Sequence, residues 1–249
     1  MTSTIKTIKI ASIVLAVIML LSTFCIMGTA SASAVTDKVS LYSSSVYFAK
    51  YGFANYEVFV QTKDNGNNQK VYIHYNYLDN TEWKDTEAKY YKTLSDGSKI
   101  WKASFCSYNC RYAIKLVSNG REYWDNNGGK DYTGDNIIGS APVASERLGY
   151  QSYYLYGGFR VNAILQNYAY HKNVFVRYTT DSWNSYRDQS LSYSATNADG
   201  TETWTTNLNF NGVYDAKKFQ YAICYKVNGR EYWANNFGDN YDGTYYIYH

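Results

Sequence analysis

Residues 119–127 read NGREYWDNN and residues 228–236 read NGREYWANN. Only Asp125 against Ala234 breaks the identity, although the surrounding sequence has diverged. An internal repeat is tested first, because it sets the architecture before any single motif does. Working outward, Tyr112-Ala113-Ile114 matches Tyr221-Ala222-Ile223 at the same spacing of 109 residues. Farther upstream the spacing is 103: Asp96-Gly97 with Trp101 matches Asp199-Gly200 with Trp204, Tyr90 matches Tyr193, and VYIHY at 71–75 matches VFVRY at 174–178. The change of spacing falls in the loops before Arg111 and Phe219, and insertions confined to loops are what two copies of one domain show. The copies are expected at 35–139 and 147–249. Between them, 140–146 holds the only proline of the chain and reads as a short linker.

Inside each copy the period is two. Val174, Val176 and Tyr178 alternate with Phe175 and Arg177, and Phe219, Tyr221, Ile223 and Tyr225 alternate with Gln220, Ala222, Cys224 and Lys226. Asp96-Gly97, Asn119-Gly120, Asp199-Gly200 and Asn228-Gly229 stand between such runs, and Asx-Gly between strand-like runs is the strongest short-range hairpin signal. No stretch beyond the N-terminal segment carries an amphipathic helix pattern. The fold class expected is all-β, as two tandem sandwiches of about seven or eight strands each.

The N-terminal segment reads as a leader. Lys6 and Lys9 precede an apolar run from Ile10 to Met27, and Ala32-Ser33-Ala34 supplies a small-residue cleavage site, so 1–34 is expected to be a signal peptide and the mature protein secreted. The alternative is an uncleaved anchor, since the run is long. Phe24 before Cys25 argues against a lipid-attachment site. Loss of Lys6 and Lys9 lowers the formal charge from +3 to +1, and no Lys/Arg cluster suggests nucleic-acid binding. No membrane partner is expected after cleavage. The compositional anomaly is 30 tyrosines and 6 tryptophans. Tyrosine joins an apolar ring to a polar tip, and suits recognition of a neutral, polar ligand. Cys106 and Cys110 flank what reads as a hairpin tip, where the spacing allows a disulfide; the alternative is that these thiols and Cys224 are free.

Catalytic signals are weak. Beyond the leader there are three histidines, His74, His171 and His249, with no nucleophile elbow, metalloprotease helix motif or phosphate loop. Asp85, Glu87, Asp181 and Asp188 could supply a glycosidase pair, but solvated turn acids are the commoner reading. No metal-ligand spacing and no cofactor signature appear. The chain is read as a non-enzyme.

Binding chemistry is better represented. In extended backbone, Tyr123-Trp124 and Tyr232-Trp233 each direct one ring inward and one outward. An outward ring suits the C–H face of a sugar, and Asn126-Asn127 or Asn235-Asn236 bring both donors and acceptors to its hydroxyls. The competing reading is structural, with each Trp in the core and each Asn capping a turn. A second feature is Trp183 at a polar turn after the 174–178 strand, with Trp83 placed as its counterpart in the first copy. A large exposed ring in a turn suggests a ligand.

The run NYAYHKNVFVRYTTDSW at 167–183, then 219–225, then Tyr232-Trp233-Ala234-Asn235-Asn236 with Asn240-Tyr241, closely resembles carbohydrate-binding module family 21. That family comprises non-catalytic immunoglobulin-like sandwiches that bind α-1,4-glucans, in fungal glucoamylases and in glycogen-targeting subunits of protein phosphatase 1. The resemblance covers essentially all of the second copy, and the first from Val71 to Tyr132. It implies binding of starch, glycogen or maltooligosaccharides. Sugar stacking would fall to Trp183 and Trp83, and sugar contacts to Trp233, Asn235, Asn236 and Asn240, with Trp124, Asp125, Asn126 and Asn127 in the first copy. Tyr193 and Tyr90 would lie near a second sugar site or in the core, and Trp204 and Trp101 in the core. Departures from the family pattern are Ala234 at the usual acid, Asp131 at the last asparagine, and His74-Tyr75-Asn76-Tyr77 in place of Val-Arg-Tyr-Thr. Phosphatase targeting is not expected, because Val46-Tyr47-Phe48 follows no basic residue and Arg160-Val161-Asn162-Ala163 lacks a phenylalanine. The function expected is exported, two-site glucan binding. Rival expectations are an exported adhesive or structural protein and a small glycan-active enzyme; a separate amylolytic partner is left open.

Overall fold

Alternation becomes antiparallel strands throughout the computed structural model, which describes residues 38–48, 53–63, 66–77, 82–133, 137–146, 158–209 and 218–243. The leader expected at 1–34 and the terminal His249 lie outside the described residues. The N-terminal half supplies β1 (Val39–Phe48), β2 (Ala54–Thr62), β3 (Lys70–Tyr77), β4 (Lys84–Thr93), β5 (Lys99–Ser107), β6 (Cys110–Ser118), β7 (Arg121–Asp125), β8 (Tyr132–Thr133) and β9 (Ile137–Ile138). The C-terminal half supplies β10 (Val143–Ser145), β11 (Gly158–Leu165), β12 (Lys172–Thr179), β13 (Arg187–Ser190), β14 (Ser192–Thr196), β15 (Glu202–Asn209), β16 (Gln220–Val227), β17 (Arg230–Ala234) and β18 (Tyr241–Asp242). Among the described residues the only helical pieces are short 3-10 turns at Asn127–Gly129 and Asn236–Gly238.

In the C-terminal half one sheet runs β10-β11-β15-β14 and the other β13-β12-β16-β17, with β18 on β16. Val174, Val176 and Tyr178 of β12 point inward and meet Phe159 and Val161 of β11 in one buried cluster, so the two sheets face each other across it. Phe175 and Arg177, between them, face outward. The N-terminal half has the same plan with one strand shared. The first part of β4 pairs with β3 and its last part with β5, so the sheet order runs unbroken as β7-β6-β3-β4-β5-β2-β1-β9. Its counterpart in the C-terminal half is cut at Leu191, whose amide bonds to Val174 and whose side chain enters the core.

All four Asx-Gly pairs join antiparallel neighbours. At Asn119-Gly120 and Asn228-Gly229 both residues have positive φ, as the tightest hairpin turn requires. The bulge after Tyr90 recurs after Tyr193. The sequence spacing thus has a counterpart in local geometry.

Two expectations are corrected. The Cys106–Cys110 bridge is absent, and both thiols are free. The turn between them is not a hairpin. Cys106 lies on β5, opposite Asn55 of β2, whereas Cys110 lies on β6, opposite Tyr77 of β3, and β3 and β4 stand between β6 and β5 in the sheet order. One side chain is exposed and the other is buried beside Tyr56, so they point apart. Residues 140–146 are not a loose linker. Val143–Ser145 pairs with β11, Ala141 and Val143 are buried, and the amides of Gly139 and Ala141 donate to the Tyr42 carbonyl of β1 at 3.0 and 3.1 Å. Ala141 joins Ile138 and Ile164 in a small buried cluster, with Tyr42 and Ala144 against it. Glycine at 139 is required there, because a Cβ would lie 2.1 Å from the Leu41 carbonyl oxygen.

Candidate functional site

The two Tyr-Trp pairs divide as the strand period demands. Tyr123 and Tyr232 pack against the cores, while Trp124 and Trp233 remain 39% and 38% exposed on the outer sheet faces. Each tryptophan has a cationic or imidazole neighbour on the strand beyond its pairing partner, β12 or β3. The Arg177 guanidinium lies 5.3 Å from the Trp233 ring centre and 4.3 Å from that of Tyr186. Arg177 also forms a two-pronged pair with Asp188, at 2.8 and 2.7 Å. That pair holds the Asp188 carboxyl below its ordinary value and raises the guanidinium's. In the N-terminal half His74 takes the place of Arg177. It stacks on Trp83 at 4.6 Å, meets Trp124 edge-on at 5.4 Å, and shares a 2.6 Å hydrogen bond with Asp85. Burial would raise the Asp85 carboxyl, but hydrogen bonds from Lys115 and His74 outweigh it and the net shift is downward.

This corrects the pairing of Trp83 with Trp183. Carried through the loop, the 103-residue spacing aligns Trp83 with Tyr186 and His74 with Arg177. Trp83 is engaged by His74 and by the Arg111 guanidinium, 5.2 Å from its ring centre, so it does not offer a free stacking face. Trp183 stands elsewhere. Ser182 and Trp183 both adopt positive φ, of 61° and 68°. The turn is held by Thr179 Oγ1, which accepts from the Trp183 amide at 3.0 Å, and by the Trp183 Nε1 bond to Gln220 at 2.6 Å. Asp181 accepts from the Ser185 hydroxyl and amide and from Thr179, which lowers its carboxyl to about 2. Gln220 and Cys224, the partners of Trp183 and Trp233, are four positions apart on β16, a separation of roughly 13 Å along the strand. The two rings therefore address different parts of the surface.

The asparagines have both of the roles weighed from sequence. Oδ1 of Asn126 accepts from the Gly129 amide at 3.0 Å, and Oδ1 of Asn235 from the Gly238 amide at 3.1 Å. Nδ2 of Asn127 donates to the Asp131 carbonyl, and Nδ2 of Asn236 to the Asn240 carbonyl. One end of each amide shapes the loop, and the other end has no bonded partner among the described residues. Asn240 itself sits at φ 59°, as Asp131 does at 58° in the other loop.

Asp125, read from sequence as a sugar contact, is bonded within the fold. Its Oδ2 accepts from the Leu41 amide and the Tyr132 hydroxyl, both at 2.8 Å, and its Oδ1 from the Asn127 amide at 3.2 Å. Burial together with this carboxylate raises the Tyr132 phenol far above its ordinary value. The matching Ala234 is buried in the opposite core. Tyr90 and Tyr193 are exposed, at 55% and 53%. Each packs edge-on against the tryptophan opposite it, Trp101 or Trp204. Those tryptophans lie at the core margin with Nε1 bonded to Thr62 and Glu202, not in the interior as expected. Among the described residues no group of three His, Cys, Asp or Glu could hold a metal.

Residues 140–243 match the family described as carbohydrate/starch-binding module (family 21). The match covers the C-terminal half and leaves residues 1–139 outside it. Glycogen-binding subunit 76A of Drosophila melanogaster is 32% identical over 78 residues, 31% of this chain and 12% of that protein. Protein phosphatase 1 regulatory subunit 3B of Bos taurus is 32% identical over 80 residues, 31% of this chain and 28% of that protein. The chain therefore spans well under a third of either relative. The solution structure of the carbohydrate-binding module of the muscle glycogen-targeting subunit of protein phosphatase-1 is similar at a TM-score of 0.34 and 20% identity, over 40% of this chain and 73% of that one. The module begins at 140, so it includes β10, the strand that sequence reading assigned to a linker. Sequence reading gave Asp188 only as a possible catalytic acid and Phe175 and Arg177 only as strand residues, and did not join them with Tyr186 on this outer face; the 103-residue spacing to His74, Trp83 and Asp85 was the available signal.

Proposed function

We propose that this chain is an exported, non-catalytic protein that binds α-glucan of the starch or glycogen type. The observation that carries the reading is Trp233. Its ring is exposed on a family 21 module, and the next turn presents the unbonded ends of Asn235 and Asn236. Stacking against the ring would bind the apolar face of a glucose unit, and the amides would select its hydroxyl pattern. The residues Trp124, Asn126 and Asn127 repeat the arrangement in the N-terminal half, which we read as a second, diverged copy of the module. Two sites on one chain raise the apparent affinity for a repeating polymer without any new contact.

The test is retention on insoluble starch against cellulose. Wild type should be retained on starch alone, and Trp233→Ala should remove most of that retention while leaving the far-ultraviolet circular dichroism unchanged. Trp124→Ala should weaken retention less, and the double variant more than either. Unchanged retention in the double variant would favour the adhesive reading, in which the aromatic surface packs between neighbours. Export is tested separately, by N-terminal sequencing of protein recovered from outside the cell, which should begin at Val35.

A further inference from the structure

The loop bearing Asn235, Asn236 and Asn240 does not end in open solvent. Phe237 projects from it toward the N-terminal half, with ring centres 5.4 Å from Tyr42, 4.9 Å from Phe59 and 5.4 Å from Tyr91. The Lys92 ammonium bonds to the Phe237 carbonyl. Phe237 has φ 58°, a conformation costly for a bulky side chain, and the matching residue of the other loop is Gly128 at 66°. A backbone strain seen in one loop and relieved by glycine in its counterpart suggests a specific use for the phenylalanine. The surrounding aromatic rings hold it in place.

Beside this contact lies a cleft of about 830 Å³, within the usual range for ligand sites. One wall is the family 21 loop with Gln220 and Tyr221; the other is Tyr42–Ser45 of β1 and Lys92–Ser95 at the end of β4. The walls hold fixed positions, because the Gly139, Ser140 and Ala141 amides donate to β1 and Gln166 Nε2 donates to the Gly139 carbonyl at 2.8 Å. Hydroxyls and amides dominate the lining, with aromatic rings among them. Two of its charged side chains are engaged elsewhere, Glu57 by Lys102 at 2.8 Å and Lys92 by the loop carbonyl. Such a lining suits a neutral ligand rich in hydroxyl groups and offers little to a polyanion.

We propose that this cleft is a glucan groove built jointly by the two halves, taking an internal segment of the chain whose neighbouring units meet the family 21 module. The N-terminal half then supplies one wall of the module's own site, in addition to any site around Trp124. The inference rests on the glucan reading above.

Calorimetric titration of the full chain with maltoheptaose tests it. Lys92→Ala with Phe237→Gly places at each position the residue carried by the other half, Ala195 and Gly128, and unlocks the loop. Ser95→Arg instead crowds the cleft from an exposed turn residue that makes no side-chain bond to the module. Both proteins are expected to keep their far-ultraviolet circular dichroism and to bind maltoheptaose about tenfold more weakly, the loss of a few hydrogen bonds and one packed wall. Wild-type affinity in both would overturn the joint groove; with Trp233→Ala still deficient, the glucan reading would stand without it. A wild-type chain that binds neither maltoheptaose nor soluble starch would overturn both.

Discussion

Replacing Asp125 by alanine separates a structural from a sugar-binding role for the one position at which the repeated nonapeptide differs. Two short bonds converge on Oδ2, from the Leu41 amide and the Tyr132 hydroxyl, each 2.8 Å long. Leu41 is 1% exposed, so its amide finds no water once the carboxylate is gone. Hydrogen bonds to a charged acceptor contribute about 1.5–3 kcal/mol each. The Asn127 amide lies at the exposed rim and adds little. Water reaches the half-exposed Asp125 side and recovers part of the Tyr132 bond, so the expected loss is about 3 kcal/mol. For a chain of this size that corresponds to a fall in Tm of roughly 6–12 °C. Asp125→Asn keeps the shape and an acceptor but not the charge, and should cost about 1 kcal/mol. Urea unfolding followed by circular dichroism measures both, and starch retention is measured on the folded proteins. A loss below about 1 kcal/mol for Asp125→Ala would show that the carboxylate does not tie β7 to β1. Lost starch retention at wild-type stability would return Asp125 to the sugar site.

Other outcomes follow from the same geometry. Lys172 and Glu202 form an ion pair at 2.8 Å, with side chains 2% and 10% exposed, joining β12 to β15 across the sandwich. Glu202→Ala strands the ammonium and should destabilise by about 3–5 kcal/mol, whereas Lys172→Met with Glu202→Leu should recover most of that in the same unfolding assay. The Asp181 carboxyl is held at about 2 against an ordinary 3.8 by the Ser185 and Thr179 bonds. A depressed carboxyl contributes stability that is present above its ordinary value and lost as pH falls through the folded one. The Trp183 turn should accordingly stay ordered at pH 4 and loosen toward pH 2. A carboxyl NMR titration of Asp181 with its midpoint near 4 would contradict this. Ala234→Asp places a charge in the core of the module and should lower stability without creating the bonds that Asp125 makes, as read by urea midpoint.

Much of the fold was legible because strand period and turn chemistry are local. The alternation of Val174, Val176 and Tyr178 gave both the strand and its inward face, and the four Asx-Gly pairs gave four hairpins. The same period put one ring of each Tyr-Trp pair outward, and the structure decided that it is the tryptophan. What failed depended on partners distant in sequence. Cys106 and Cys110 are close in the chain but lie on strands that do not pair with each other, which no spacing rule reports. Trp83 looked equivalent to Trp183 because both are tryptophans near a turn, yet strand register aligns it with Tyr186.

The nonapeptide by itself determined a tight Asn-Gly turn and a short strand with one ring on each side, since each depends on groups within a few residues. Tertiary structure decided the rest. Asp125 became a tie because β1 brings the Leu41 amide to it, and Ala234 stayed apolar because the corresponding space is core. Phe237 gained a role only where Tyr42, Phe59 and Tyr91 surround it, and those rings lie about 145 residues or more away in the chain. A sequence carries the hydrogen-bonding and packing capacity of each residue, but which partner meets that capacity is settled when distant strands come together.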